Sequence, residues 1–355
     1  LARSMITTNT SAALAGSLMR AEINEQQSAF ERWSDTGSLV TADLVESIRK
    51  FQPSMVLTVA RGTSDRAADY GKYLLEILLG IPVGSTSPST VTLFGAAPRA
   101  QGVLALAISQ SGESPDIIAE ATALRAGGAF VVAVTNSPNS PLASCANAVM
   151  DISAGREKSV AATKSFTAQC AALADLSFAL ADLPLDRRAI AQAVAQAVKS
   201  PLPSEAAGLL GAAVDRAKFL ICIGRGPCTP IASEGALKIM ETSGLPALSY
   251  SAADFAHGPR TLITADVPVV IVAPPGNFGD SMTELIKDIS DAHAPLVVLG
   301  DRHRAHFTIP TQLSDPLTAP MEQVISLQRI ALDLALHLGC DPDNPRGLTK
   351  VTRTL

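Results

Sequence analysis

The sequence predicts an α/β protein made of two tandem units, each a doubly wound parallel sheet flanked by helices. Short apolar runs such as Val103–Ile108 alternate with segments of helical spacing, which is typical of βαβ units. The sequence also repeats internally, because Arg225-Gly226 follows Arg61-Gly62 by 164 residues and each pair comes just after an apolar run. Together these observations predict a duplicated parallel sheet.

The repeat assigns most of the chain to elements in order. The first unit is predicted to contain a strand at 55–60, a helix ending at Gly80, a short strand near Val83–Ser85, and strands at Val103–Ile108 and 130–134. The second unit is predicted to contain strands at 219–223, Val269–Val272 and 296–297, and a helix at 322–338. We therefore expect a helical arm over 1–40, a first domain over 41–196, a second domain over 205–338 and a C-terminal tail over 339–355.

Composition excludes several classes of protein. The chain of 355 residues is 47% hydrophobic and 17% charged, which is typical of a folded globular protein. A formal net charge of −5 argues against nucleic acid or an anionic membrane as partner. The five cysteines form no C-x-x-C pair, and no signal peptide or apolar run of about 18 residues is found. We expect a cytoplasmic protein with no nucleic-acid or membrane partner.

The hexapeptide Ser109-Gln110-Ser111-Gly112-Glu113-Ser114 links the apolar strand Val103–Ile108 to a predicted helix that begins at Pro115. Such a turn presents hydroxyl groups and backbone N–H groups at the positive end of a helix, which favours phosphate. It lacks the lysine of a nucleotide P-loop. We expect it to hold a small phosphate dianion through hydroxyls and dipoles, without a metal. The alternative is an ordinary helix capped by Ser114.

The corresponding turn of the second unit has a different composition. It reads Ala273-Pro274-Pro275-Gly276, and the two prolines remove two backbone donors. We therefore expect the phosphate site in the first unit and a different contribution from the second.

The second unit carries candidate acid/base residues. Glu234, Lys238 and Glu241 share one face of a predicted helix in which Gly235 indicates close packing. A carboxylate in apolar surroundings can move protons, although a surface salt-bridge ladder is the alternative. His257 precedes a Gly-Pro turn and is either a proton-transfer group or a structural histidine. No metal site and no cofactor are predicted.

Six motifs in this order resemble the sugar isomerase (SIS) family, in particular the isomerase half of glucosamine-6-phosphate synthase and the stand-alone glucosamine-6-phosphate deaminases. They are Arg61-Gly62-Thr63-Ser64, the hexapeptide 109–114, Val160-Ala161-Ala162-Thr163-Lys164, Glu234-Gly235-Ala236-Leu237-Lys238, His257-Gly258-Pro259 and Pro345-Arg346-Gly347-Leu348-Thr349-Lys350. The resemblance implies two tandem flavodoxin-like SIS units.

The resemblance also implies roles for individual residues. Binding of the substrate is implied for Ser64, Ser109, Gln110, Ser111, Ser114, Val160 and Ala162, with the phosphate of a hexose or hexosamine 6-phosphate at the four residues of the hexapeptide. Catalysis is implied for Glu241 (C1/C2 proton transfer), His257 (ring opening), and Lys238 and Lys350 (at the open-chain carbonyl, the latter on a tail that closes the site). Because the family takes this histidine from the neighbouring subunit, a homodimer is expected.

The sequence departs from the family at two substrate-binding positions. Ala162 replaces a serine and so lacks one hydroxyl, whereas Ser114 replaces a threonine and keeps it. No cysteine precedes Cys145, so we do not expect a glutaminase domain that would supply ammonia.

The expected function is conversion of glucosamine 6-phosphate to fructose 6-phosphate and ammonia. Alternatives are a galactosamine-6-phosphate or fructosamine-6-phosphate deaminase, a plain ketose/aldose phosphosugar isomerase, and a non-catalytic sugar-phosphate sensor.

Overall fold

The computed structural model describes residues 14–350 except 201, 203 and 302–304, and its first parallel sheet has five strands. They are β1 (Met55–Val59), β2 (Val83–Ser85), β3 (Val103–Ile108), β4 (Phe130–Thr135) and β5 (Ala148–Asp151), in the order β2-β1-β3-β4-β5. The register pairs Thr58 with Leu106, and Leu106 with Val132. All six residues of β3 are buried, because helices cover both faces of a parallel sheet.

The second sheet repeats this topology. Its strands are β6 (Leu220–Gly224), β7 (Ala247–Ser251), β8 (Val269–Val272), β9 (Leu296–Leu299) and β10 (Phe307–Ile309). Read from β7, the order is β7-β6-β8-β9-β10, which matches the first sheet strand for strand. The predicted duplication of a parallel sheet is confirmed.

The helices connect the strands and cover the sheets. Within the described residues they are α1 (Ser17–Thr36), α2 (Ala42–Phe51), α3 (Gly62–Leu79), α4 (Ser89–Thr92), α5 (Pro115–Ala126), α6 (Pro141–Cys145), α7 (Lys164–Leu180), α8 (Arg187–Lys199), α9 (Ser204–Ala217), α10 (Thr229–Ser243), α11 (Ala252–Ala256), α12 (Thr283–Asp291) and α13 (Pro320–His337). Three short 3₁₀ helices lie at Gly226–Cys228, Pro259–Leu262 and Gly276–Met282. None of the helices described is long and apolar enough to cross a membrane.

Two local predictions meet different outcomes. Gly80 ends α3 in the left-handed conformation, with φ +65°, as expected of a glycine after a helix. Pro115 begins α5, but Ser114 makes no side-chain capping hydrogen bond although it occupies the cap position. The interpretation of Ser114 as an ordinary helix cap is therefore wrong, and its hydroxyl remains available to other partners.

The two units share one hydrophobic core, in which Leu74 of α3, Phe166 of α7, Ile239 of α10 and Leu327 of α13 belong to the same cluster of buried residues. Helices α10 and α13 approach closely at Gly235, where a Cβ atom would lie 2.9 Å from the Leu327 side chain. The close packing predicted from Gly235 is confirmed.

The first helix connects distant parts of the chain. Trp33 of α1 donates a hydrogen bond to Asp175 of α7 at 2.8 Å. The amino end of α1 is capped by the C-terminal tail, because Asp343 accepts hydrogen bonds from the backbone of Leu18 and Met19 at 2.8 and 2.9 Å. The tail is thus fixed to the first helix before it reaches residue 350. The domain boundaries given above stay predictions, and residues 1–13 and 351–355 of the predicted arm and tail lie outside the described part of the chain.

Candidate active site

A cavity of about 360 Å³ opens at the carboxyl ends of the neighbouring strands β1 and β3. The helices that follow these strands lead in opposite directions along the sheet, α3 to β2 and α5 to β4. Such a switch point is where open α/β sheets bind ligands. The cavity is lined by residues 61–64, 108–111, 114, 117, 160, 162, 241 and 348–350.

The hexapeptide turn forms one wall of the cavity. Gly112 adopts φ +65°, and a Cβ atom there would lie 2.1 Å from Ser140 Oγ, so only glycine fits. The hydroxyls of Ser109 and Ser111 accept hydrogen bonds from the backbone N–H groups of Gly112 and Glu113, each at 3.2 Å. A hydroxyl that accepts a bond keeps its own hydrogen for donation. The turn therefore presents hydroxyl donors to the cavity, as a phosphate site requires.

Arg61 adds a positive charge beside this turn. It belongs to the internal repeat and to the first family motif, but no binding role was predicted for it from the sequence. Its Nε donates to Asp116 Oδ2 at 3.0 Å, and its side chain is 50% exposed where it lines the cavity. In the sequence, Arg61 directly follows the first predicted strand (55–60). In the fold this strand, β1, pairs with β3, which leads into the hexapeptide.

The second unit contributes Glu241, which lines the cavity from α10. Lys238 lies one turn earlier, is 1% exposed, and donates hydrogen bonds to Glu241 and, at 2.9 Å, to Thr63 Oγ1. Burial lowers the pKa of Lys238, but Glu234 and Glu241 raise this pKa by more, so Lys238 stays an ammonium at neutral pH. Lys238 is absent from the residues that line the cavity, and it supports Glu241 from behind.

Glu234 is the third member of this cluster and is completely buried. Its Oε1 lies 3.5 Å from Lys238 Nζ and accepts a hydrogen bond from Thr63 at 3.3 Å. Burial raises the pKa of Glu234 to about 8, since Lys238 offsets only part of the cost of a buried charge. Glu234 therefore holds its proton to a higher pH than an exposed glutamate does, and Glu241 is the member of the cluster that reaches the cavity.

The tail brings Lys350 to the cavity. Lys350 Nζ donates to Glu157 Oε2 at 2.7 Å, and Glu157 also accepts hydrogen bonds from Thr163 and Ser165 at the start of α7. Burial alone would raise the pKa of Glu157, but Lys350 and Ser165 outweigh it, so the pKa is lowered. Glu157 was not predicted from the sequence, because its partner lies 193 positions away.

The remaining predicted residues fall into two groups. Ser64, Val160 and Ala162 line the cavity, and Ser64 Oγ accepts a hydrogen bond from Gln169 at 3.0 Å. His257 is exposed at the end of α11 and is not among the residues that line the cavity of its own chain. In the described part of the chain, no three His, Cys, Asp or Glu side chains are grouped as a metal ion would require.

Two doubly wound units with a polar cavity at one switch point define a ligand-binding α/β protein with a duplicated unit. The model of the SIS domain matches residues 51–177 and 215–304, one stretch in each unit. This chain belongs to the SIS family, as its motifs predicted.

Curated relatives include glutamine–fructose-6-phosphate aminotransferases (isomerizing). The protein of Gloeobacter violaceus is 34% identical over 311 residues, which are 83% of this chain and 51% of that protein. The protein of Gluconobacter oxydans is 34% identical over 321 residues, which are 84% of this chain and 52% of that protein. This chain thus spans about half the length of these relatives.

Solved structures agree with this assignment. A provisionally named phosphosugar isomerase from Silicibacter pomeroyi DSS-3 is 35% identical, with a TM-score of 0.83 over 92% of this chain and 99% of that chain. The C-terminal domain of glucosamine-fructose-6-phosphate aminotransferase from Francisella tularensis is 26% identical, with a TM-score of 0.81 over 92% and 98%. The glucosamine-6-phosphate deaminase of Thermotoga maritima is 20% identical, with a TM-score of 0.76 over 95% and 100%, and shares the fold.

Proposed function

We propose that this protein is an amino sugar phosphate deaminase/isomerase that converts glucosamine 6-phosphate to fructose 6-phosphate and ammonia. The observation that carries the proposal is the shared cavity, with the hydroxyl-rich turn on one wall, the carboxylate of Glu241 on another and Lys350 beside them. A phosphate held at the turn would fix the sugar, so that its reacting carbons meet one acid/base group.

The proposed reaction begins with the open-chain sugar, its phosphate bound by Ser109, Gln110, Ser111 and Ser114. Glu241 removes the proton from C2 while water protonates the aldehyde oxygen O1, which gives an enolamine and hydroxide. The protonated Glu241 then delivers its proton to C1, and the amine nitrogen returns a proton to the hydroxide, which leaves an imine at C2. Water adds to the imine, and ammonia departs as fructose 6-phosphate forms. These steps use protein groups and water.

The residues around the reacting carbons support this sequence of steps. The buried ammonium of Lys238 fixes Glu241, which is a positioning role. Ser64 keeps a hydroxyl hydrogen for a sugar oxygen, and we assign Val160 and Ala162, which also line the cavity, to backbone contacts with the sugar. We assign Lys350 to O1 as a hydrogen-bond donor. Borohydride treatment in the presence of fructose 6-phosphate tests this role, because reductive trapping of Lys350 would show a Schiff base instead.

His257 is proposed to assist ring opening in the site of a second copy of the chain, since it is exposed and is not among the residues that line its own cavity. Mixing of two inactive variants, E241Q and H257N, tests this homodimer. Random exchange would place one intact site in each mixed dimer and restore up to about a quarter of wild-type activity. Absence of any recovery after verified subunit exchange would overturn the shared site.

The principal experiment measures ammonia and fructose 6-phosphate released from glucosamine 6-phosphate, with E241Q beside the wild type. The proposal expects equal amounts of both products and a loss in kcat of about 10²- to 10⁴-fold in E241Q. The reverse assay, fructose 6-phosphate with ammonium, should yield glucosamine 6-phosphate.

The same assay separates the alternatives. Turnover of galactosamine 6-phosphate, of fructosamine 6-phosphates or of a plain ketose phosphate, without release from glucosamine 6-phosphate, would reassign the substrate. A sugar-phosphate sensor would bind these compounds equally well in wild type and E241Q and turn over none of them.

A further inference from the structure

Arg61 is held in a fixed orientation at the mouth of the cavity. It is the residue before α3, with extended backbone (φ −142°, ψ 151°), so its side chain starts at the carboxyl end of β1. Its Nε is bonded to Asp116, whose side chain is 4% exposed and lies in the first turn of α5, two residues after Ser114. The guanidinium is thereby tied to the same helix start that carries the hexapeptide.

The terminal nitrogens of Arg61 remain open to a ligand. Among the described residues, Nη1 and Nη2 of Arg61 make no hydrogen bond, because its ion pair with Asp116 uses Nε, whereas the single nitrogen of Lys238 and that of Lys350 are each engaged by a carboxylate. A guanidinium presents two parallel N–H groups that match the oxygens of a phosphate.

We propose that Arg61 binds the substrate's phosphate through a fork formed by the N–H groups of Nη1 and Nη2, while Asp116 holds the guanidinium in place. This contact makes the cavity specific for phosphate dianions. The inference rests on the proposed function in placing a phosphate at the hexapeptide turn. It replaces the expectation that hydroxyls and helix dipoles alone hold this anion in a protein of net charge −5.

The chain supplies a matched control in Arg225. It lies 164 residues after Arg61, directly after β6, with a similar extended backbone (φ −136°, ψ 136°), and it is exposed. The neighbouring turn of its own unit is Ala273-Pro274-Pro275-Gly276 rather than a hydroxyl-rich one. Arg225 thus shares the residue type and backbone geometry of Arg61 without the phosphate turn.

The experiment titrates glucitol 6-phosphate, which has no carbonyl group and cannot react, into wild type, R61Q, R61K and R225Q by calorimetry. Loss of a charge-assisted bond at a half-exposed site should weaken binding by R61Q about tenfold. R61K keeps the charge but not the fork and should lose about threefold, while R225Q stays within twofold of wild type. Unphosphorylated glucitol should bind all four proteins equally weakly.

Each outcome decides the inference. Binding by R61Q within twofold of wild type overturns it, as does wild-type protein that fails to bind the ligand, which also removes the phosphate site from the proposed function. Arg61-dependent binding in a protein that turns over no sugar phosphate keeps the inference and rejects the reaction. If R61Q fails to unfold cooperatively, R61K decides, since wild-type affinity in R61K contradicts a bound fork.

Discussion

The two units have the same strand order but carry their polar groups in different places. On the helix after the first strand, three positions 164 residues apart can be compared. They are Tyr70, Leu74 and Ile77 on α3, and Glu234, Lys238 and Glu241 on α10. The first set is an aromatic ring and two aliphatic chains, and the second is an ionic cluster. The three positions are therefore equivalent in the two units, but only α10 of the second unit carries carboxyl and amino groups at them.

In the turns after the third strand of each sheet, it is instead the first unit that carries the polar side chains. Ser109-Gln110-Ser111-Gly112 opens onto the cavity, whereas at Ala273-Pro274-Pro275-Gly276 the side-chain amide of Gln323 donates to the carbonyl of Ala273 at 2.7 Å. Gln323 is buried and also accepts from the Cys228 thiol. The hydroxyl-rich turn therefore belongs to the first unit and the ionic cluster to the second, so the cavity contains polar groups from both units.

The largest expected effect comes from removing the cation of the ionic cluster. Lys238→Met leaves the carboxylate of Glu241 without its counter-charge, so we expect a loss of about 3 kcal/mol in the free energy of unfolding. Because Glu241 would also lose its support, kcat should fall by about 100-fold or more. The control is Leu74→Met at the equivalent position, which should cost less than about 1.5 kcal/mol and leave kcat unchanged. Equal effects in both variants would contradict the assignment of chemistry to the second unit.

A glycine pair tests the two turns. Gly112 and Gly276 both have positive φ (+65° and +60°), but an added Cβ would strike Ser140 at the first position and meet nothing within 4 Å at the second. We expect G112A to lose about 3 kcal/mol of stability and about 30-fold in affinity for glucitol 6-phosphate, and G276A to lose about 1 kcal/mol with unchanged affinity. Denaturant titration and calorimetry measure the two quantities. Unchanged ligand affinity in folded G112A would separate the hexapeptide from phosphate binding.

Two buried carboxylates should respond to pH with opposite signs. The pKa of Glu157 is lowered, because Lys350 and Ser165 outweigh burial, whereas burial raises the pKa of Glu322 despite hydrogen bonds from the backbone of Gln312 and Leu313. Glu157 therefore stabilises the fold above its ordinary pKa of 4.5, and this stability is lost as pH falls through the lowered value. Glu322 instead makes the fold less stable as pH rises above 4.5.

The measurement is the free energy of unfolding of E157Q and E322Q against wild type between pH 3.5 and 7. The deficit of E157Q should reach about 2 kcal/mol at pH 7 and shrink in acid. The deficit of E322Q in the free energy of unfolding should instead shrink as pH rises. Parallel curves for the two variants would show that Lys350 does not set the charge of Glu157.

The smallest effect concerns the tail, which follows the second unit in sequence but is fixed to the first helix. Asp343→Asn loses one of two hydrogen bonds at the amino end of α1 and should cost about 1 kcal/mol. Since the tail carries Lys350, kcat/KM should also fall about threefold. Asp186→Ala, which removes the local cap of α8, should cost similar stability without a kinetic effect. A kinetic loss in both variants would assign the effect to stability alone.

The parts of the fold that sequence predicts well are those encoded locally. The strand bounds at Val103–Ile108 and Val269–Val272 are confirmed to the residue, because uninterrupted apolar runs mark buried parallel strands. The common face of Glu234, Lys238 and Glu241 follows from helical spacing alone and is also confirmed.

What the sequence did not predict depends on contacts between distant segments. Arg61 meets Asp116 across 55 positions, and Gln323 meets Ala273 across 50, so neither pair produces a local pattern. Ser114 shows the reverse case, since its sequence context favoured a cap that the packed turn does not form. The roles of the site residues stay predictions, to be decided by the variants above.

The tail has a consequence for how the protein is made. Asp343 and Lys350 leave the ribosome after every strand of both sheets, yet Asp343 caps the first helix and Lys350 lines the cavity of the first unit. Domains generally fold in the order of their synthesis, so the first sheet and its hexapeptide turn can form while the second is still being translated. The cavity gains its final wall only after the tail has emerged, and a nascent chain arrested before residue 341 would hold a folded first unit with an open site.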